Sequence, residues 1–191
     1  LLGVMPAERT RVWCWNGEDP ADEIERRIQA AMIHHQLRPL DLEGWLFTGS
    51  GRDADLVVAE QDRNGVTIAT PVVDALIRFI SDNQIGAVII DPFVSSHRVS
   101  ENDNGAIDRV AKAWARIANA TGCAVELVHH TRKTGGAEVS VEDGRGASAL
   151  LAAARHARTL RPMTEQEADS LGVERADRQA YVRIDGGKAN L

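Results

Sequence analysis

Three apolar runs in this chain stop at a group that can do chemistry. Ala87-Val88-Ile89-Ile90 ends at Asp91 and Pro92, Arg11-Val12-Trp13-Cys14-Trp15 runs into Asn16-Gly17-Glu18-Asp19-Pro20, and Cys123 to Val128 leads into His129-His130-Thr131. A carboxylate that ends a strand buried on both faces stands at the rim where open α/β sheets bind ligands, so Asp91 is a candidate metal or phosphate-site residue. Asp also simply ends strands and begins turns. Glu18 and Asp19 lie where a strand hands over to a helix; Glu18 is also readable as a helix N-terminal acid favoured by the macrodipole, and Asp19 is the more natural of the two for that capping place. Adjacent side chains on a strand point to opposite faces, so one of His129 and His130 faces any site at the strand exits.

The elements that must position these groups follow from periodicity and turn chemistry. Arg9 to Trp15 reads as a short strand, and Asp22 to Leu37 as a helix with Ile24, Ile28, Met32 and Ile33 at helical spacing on its buried face. Gly44 to Thr48 is a short strand and Gly49-Ser50-Gly51 a flexible break. Leu56 to Ala59 and Val66 to Ala69 form a hairpin across Asp62-Arg63-Asn64-Gly65, where Asn-Gly favours a tight turn. Pro71 starts a helix to about Asn83 that buries Val72, Leu76, Ile77 and Ile80 and delivers the chain to Ala87. Ser95 to Asn104 is polar and reads as mobile; Gly105 to Ala120 is a helix burying Ile107, Val110, Ala111, Trp114 and Ile117.

The C-terminal third is less regular. Arg132 to Gly146 has four glycines and no apolar periodicity, which makes it a long loop. An alanine-rich stretch, Ala147 to Ala154, precedes an edge strand over Ala157 to Leu160 broken by Pro162. Thr164 caps a small helix to Leu171 with Glu167 at the capping-box position, and Gln179 to Ile184 is the last strand before a loop. Strand and helix alternate with connections of crossover length, so the class is α/β with a mainly parallel sheet.

Composition narrows the function classes. The 191 residues are 43% hydrophobic and 26% charged, the balance of a globular domain, and one core is the simplest organisation. No apolar run reaches the ~20 residues that span a bilayer, so a cytoplasmic protein without a membrane partner is expected. The two cysteines, Cys14 and Cys123, fall in apolar strands without ligand spacing and read as core residues. A net charge of -6 argues against a surface that coats nucleic acid everywhere, while leaving room for a local basic loop.

The order of an acidic turn, a strand ending in Asp and a strand ending in a polar sensor resembles the RecA-like P-loop ATPases. More narrowly, Asn16 to Pro20, Val88 to Pro92, His129 to Lys133, Gly144 to Leu150 and Lys188-Ala189-Asn190 resemble the plasmid RepA-type hexameric replicative DNA helicases and their phage and chromosomal relatives. The resemblance implies a RecA-like three-layer fold over residues 1–191, with a mainly parallel central sheet and antiparallel edge strands at the C-terminus. It implies ATP and Mg²⁺ as cofactors, with Glu18 polarising the attacking water and Asp91 holding the ion through a water. His130 would contact the γ-phosphate, Arg27 would lie near the phosphates, and Arg155 would be the finger that reaches the ATP of a neighbouring subunit. Lys188 matches a second basic residue near that interface. Arg132, Lys133 and Arg145 would meet single-stranded DNA in the channel of a homo-oligomer, a hexamer in the intact protein. Arg155 and Arg158 are also readable as plain surface residues, and Arg26 competes with Arg27.

One family feature is missing. Gly-x-x-x-x-Gly-Lys-Ser/Thr, whose backbone N–H groups and lysine cradle phosphates, occurs nowhere in the 191 residues. Leu1-Leu2-Gly3 resembles the residues just downstream of that loop, so the expectation is a core truncated at the P-loop strand, with apolar edges that invite dimerisation and with ATP affinity and turnover lost or very low. A reading of a different class is a non-catalytic assembly or regulatory protein that keeps the fold without the chemistry.

Overall fold

A computed structural model describes residues 8–131 and 148–189. The chain divides into two compact units, residues 1–129 and 130–191. In the first, β1 (Arg11–Asn16) is followed by α1 (Ala21–His35), a short α2 (Pro39–Leu42) and β2 (Leu46–Ser50). A hairpin of β3 (Ala59–Asp62) and β4 (Gly65–Ile68) leads to α3 (Thr70–Asp82), β5 (Ile85–Asp91), a 3-10 turn over Phe93–Ser96, α4 (Asn104–Thr121) and β6 (Ala124–Leu127). The central sheet has the order β2-β1-β5-β6 with every pair parallel. The expected α/β class with a mainly parallel sheet is therefore the observed one.

Period-two alternation places Trp13 and Trp15 on one face of β1, beside Val88 and Ile90 of β5 in register. All four are buried together with Val73, Leu76 and Ile80 of α3 and Val110, Trp114 and Ile117 of α4. The same stripe on α4 was legible from its spacing. On α3 the buried positions are Val73, Leu76 and Ile80, so the expected burial of Val72 and Ile77 is not observed. The predicted buried face of α1 is not observed: none of its residues is buried and Ile33 is 72% exposed. The reason is its seat, since α1 packs against β2, an edge strand of the described sheet.

Three further expectations are corrected. Gly49 and Ser50 are not a break, because β2 continues to Ser50, which is buried at its end. The hairpin strands lie later and earlier than expected, with Asp62 opposite Gly65 around a two-residue turn of Arg63 and Asn64; Gly65 takes a positive φ of 117° there. Ser95 to Asn104 is anchored: Ser96 and His97 are buried, Val58 N–H donates to Ser96 O (2.9 Å) and Arg98 N–H to Ala59 O (2.8 Å). Among the described residues no helix is long and apolar enough to cross a membrane.

The second unit contains α5 (Ala149–Ala153), β7 (His156–Pro162), α6 (Glu165–Leu171), a 3-10 turn over Arg178–Ala180 and β8 (Val182–Ala189). β7 and β8 are antiparallel, as expected of the strands near the C-terminus, and they pair with each other in a two-stranded sheet of their own rather than along an edge of the central one. Their bounds differ from the sequence reading: β8 begins at Val182 and runs through Asp185-Gly186-Gly187-Lys188, because β7 pairs with it along its whole length from His156 to Pro162. The capping box of α6 is as predicted, with Thr164 Oγ1 accepting from Glu167 N–H at 3.2 Å.

Candidate functional site

The sheet order decides where a ligand can enter. β1 crosses over through α1 to β2 on one side, and β5 crosses through α4 to β6 on the other. Where successive crossovers leave in opposite directions, a crevice opens outside the carboxyl ends of the two central strands. Here those ends are Asn16 and Asp91, which are register partners, and Asn16 also faces Ser50 across β2. The exits are pressed together by backbone bonds, Gly17 N–H to Asp91 O and Gly51 N–H to Asn16 O, both 2.7 Å. Glycine is required at this approach. A Cβ at Gly17 would overlap the Ser95 side chain, and one at Gly51 would stand 2.8 Å from Gly17 Cα.

The turn at the β1 exit is laced by side chains. Asn16 Oδ1 accepts from the N–H groups of Glu18 (2.9 Å) and Asp19 (2.7 Å). Ser50 Oγ donates to Asp19 O (2.8 Å), and Arg52 Nε donates to Glu18 O (2.8 Å). Asp19 is tied to Arg27 Nη1 at 2.7 Å, and the same guanidinium bonds Glu23 at 2.9 Å. Glu18 is exposed, and its carboxylate has no hydrogen-bond or ion-pair partner among the described residues. Asp19 is thus spent on structure, in an ion pair with Arg27 rather than as a cap of α1, while Glu18 projects from a fixed turn.

At the β6 exit, Val128 N–H donates to Ile90 O (2.9 Å) and Phe93 N–H to Val128 O (2.7 Å), so this end is stitched to the β5 exit. His129 is half-buried, edge-on to Phe93 at 5.6 Å between ring centroids. Buried His97 also lies against Phe93, at 4.7 Å between ring centroids, and its Nδ1 accepts from Val99 N–H at 3.3 Å. Burial pushes the His97 pKa down; the charge of Glu101 opposes this and His129 adds to it.

The structure brings Glu18, Asp91 and, through Asp19, Arg27 to one edge of the first unit. His130, Arg155 and Lys188 belong to the second unit. His130 and Arg155 are exposed, and Lys188 Nζ donates to the carbonyls of Leu151 and Ala152 at 2.9 Å, near the C-terminal end of α5. Arg132, Lys133 and Arg145, with the glycine-rich stretch that carries them, lie outside the described residues. Asn16, Ser50 and Arg52 were missed from sequence. Asn16 carried a signal, since Asn at a strand end folds the next turn through its own carbonyl. Arg52 carried none, because its partner is a backbone carbonyl 34 residues away.

A family model described as an AAA domain matches residues 1–136. The chain belongs to the AAA domain family. AAA domains generally use ATP and Mg²⁺. Among the described residues of this AAA domain no cluster of three or more His, Cys, Asp and Glu side chains could hold a metal ion by itself. Mg²⁺ does not need one: it keeps several waters and takes one or two carboxylates together with its substrate's phosphates. The carboxylate of Asp91, at the end of β5, is of the type such coordination takes.

Proposed function

We propose that this AAA domain is the ATP-hydrolysing core of a RepA-type hexameric DNA helicase, in which hydrolysis drives movement along single-stranded DNA. The observation that carries the reading is the unpartnered Glu18 carboxylate, projecting from a side-chain-laced turn beside Asp91 at the switch point of the sheet. Phosphoryl transfer to water needs an oriented nucleophile and positive charge where negative charge develops. When bound, Mg²⁺ would supply part of that positive charge. Asp91 would be the residue that holds the ion. Glu18 would orient the attacking water and receive its proton, a task open to it because Asp19, not Glu18, is committed to Arg27.

In the same reading both units form one RecA-like core over residues 1–191. His130 senses the γ-phosphate, Arg155 and Lys188 act at the interface between copies, and Arg132, Lys133 and Arg145 contact the DNA strand. The test is ATP hydrolysis by a form of the protein that carries a Gly-x-x-x-x-Gly-Lys-Ser/Thr loop upstream of Leu1. Hydrolysis stimulated by single-stranded DNA and abolished by Glu18→Gln is expected; undiminished turnover in that variant removes Glu18 from its role. The 191 residues alone contain neither Gly-Lys-Ser nor Gly-Lys-Thr. The second reading is a non-catalytic assembly or regulatory protein that keeps the fold without the chemistry, and a loop-bearing form that neither binds nor hydrolyses ATP would establish it.

A further inference from the structure

Every backbone polar group of Glu18 and Asp19 is held by a side chain: both N–H groups by Asn16, the Glu18 carbonyl by Arg52 and the Asp19 carbonyl by Ser50. Of these partners Arg52 alone carries charge. It is drawn back over the β1 exit by its own N–H, which donates to Ser50 Oγ at 3.1 Å, and by the close approach of Gly51 to Gly17. The guanidinium spends its Nε–H on Glu18 O (2.8 Å). A guanidinium has five N–H donors, and the remaining four have no partner among the described residues. Arg27 differs: Asp19 and Glu23 occupy it. Arg52 is thus a cation without a carboxylate partner, fastened to the turn that presents Glu18, whose preceding residue bonds Asp91.

We propose that Arg52 is a phosphate-recognising residue of the switch-point crevice: its Nε fixes Glu18 while its Nη groups bind oxygens of a magnesium-complexed polyphosphate. The inference rests on reading the crevice as a nucleotide site. The planar fork of arginine suits phosphate oxygens. The magnesium complex is specified by the neighbours, since Glu18 and Asp91 would repel a bare anion and welcome one that brings its own cation.

The experiment follows the backbone amides and the Arg52 Nε–H of the 191-residue protein by NMR during titration with tripolyphosphate, with and without Mg²⁺. Without a phosphate loop, saturation in roughly the millimolar range is expected. The shifts should centre on Glu18, Asp19 and Arg52 and should depend on Mg²⁺. Arg52→Gln keeps a donor for the Glu18 carbonyl and removes the charge; it should weaken binding at least about tenfold while the thermal midpoint stays unchanged. Arg52→Lys should recover part of the affinity. Arg63→Gln, which removes an equal charge in the turn of the β3–β4 hairpin, should have no effect. Undiminished affinity in Arg52→Gln, an equal loss in Arg63→Gln, or no saturable shift in the unaltered protein overturns the inference. Asp91→Asn separates it from the reading beneath it. Binding that needs Arg52 but is indifferent to Asp91 and Mg²⁺ leaves Arg52 an anion site and ends the nucleotide reading; dependence on Asp91 without dependence on Arg52 does the reverse.

Discussion

Glu167 in the second unit and Glu18 in the first are both carboxylates near arginines, and their surroundings differ in every bond. Glu167 accepts from Arg161 at 2.6 and 2.8 Å, from Arg183 at 2.6 Å, and from both the N–H and the hydroxyl of Thr164 at 2.9 Å. Those donors hold its carboxyl well below the usual carboxylate range, Arg161 contributing most. It cannot take another donor without giving one up, so its work is to cap α6 and fasten it to the β7–β8 hairpin. Around Glu18 the saturated groups are those of the backbone, and the carboxylate is left over. Charge that is fully paired builds structure; charge carried by a fixed backbone and left unpaired is available to a ligand.

The sharpest way to break this contrast is to neutralise each carboxylate in turn. In a loop-bearing form, Glu18→Gln should lower the rate of ATP hydrolysis by about 10²–10⁴-fold, the range for loss of an acid–base group, with an unchanged thermal midpoint. Glu167→Gln should lower the midpoint and expose the second unit to hydrogen exchange, because Arg161 and Arg183 lose their shared partner. A Glu18→Gln protein that melts early would show that the turn, too, is structural. Next in size is Gly17→Ala, where the added methyl meets Ser95 and the Trp15 ring; overpacking of this kind costs about 1–3 kcal/mol, measurable by urea unfolding. Thr164→Ala removes the α6 cap and should cost about 1 kcal/mol, with faster exchange confined to the second unit.

The smallest effect separates the units by pH. His97 is harder to protonate folded than unfolded, so its contribution is complete above its ordinary value of 6.5 and is lost as pH falls below it. Glu101 and His129, the charged and titratable groups that face it, oppose and reinforce that loss respectively. Glu167 is held below its ordinary value of 4.5, so its contribution is complete above that value and lost only in stronger acid. Acid titration followed by NMR should therefore loosen the turn around Phe93 and His97 first and α6 later. Simultaneous loss would place both losses under one global transition.

The legible parts of the molecule were those in which one segment carries its own reason. Asp91 closing a β-branched run, the stripe Ile107 to Ile117 on α4, and Thr164 with Glu167 on α6 each rest on contacts within a few residues, and each is as expected. The face of α1 was misjudged because periodicity reports which side of a helix is apolar and not how wide a surface awaits it. Ser50 was misjudged because a polar residue with a distant partner looks the same in sequence as one in solvent, and His97 because a polar run does not mark which of its side chains the fold buries.

By itself the sequence determined the α/β class, the strand that ends in Asp91 and the acidic turn at Glu18, since alternation, capping and turn chemistry act over short spans. The tertiary structure decided that β1 lies between β2 and β5, which puts the Glu18 turn at the switch point, and that Arg52 rather than Arg27 keeps its donors unspent. Both depend on residues far apart in the chain meeting at one edge of the sheet, and no local pattern encodes such a meeting.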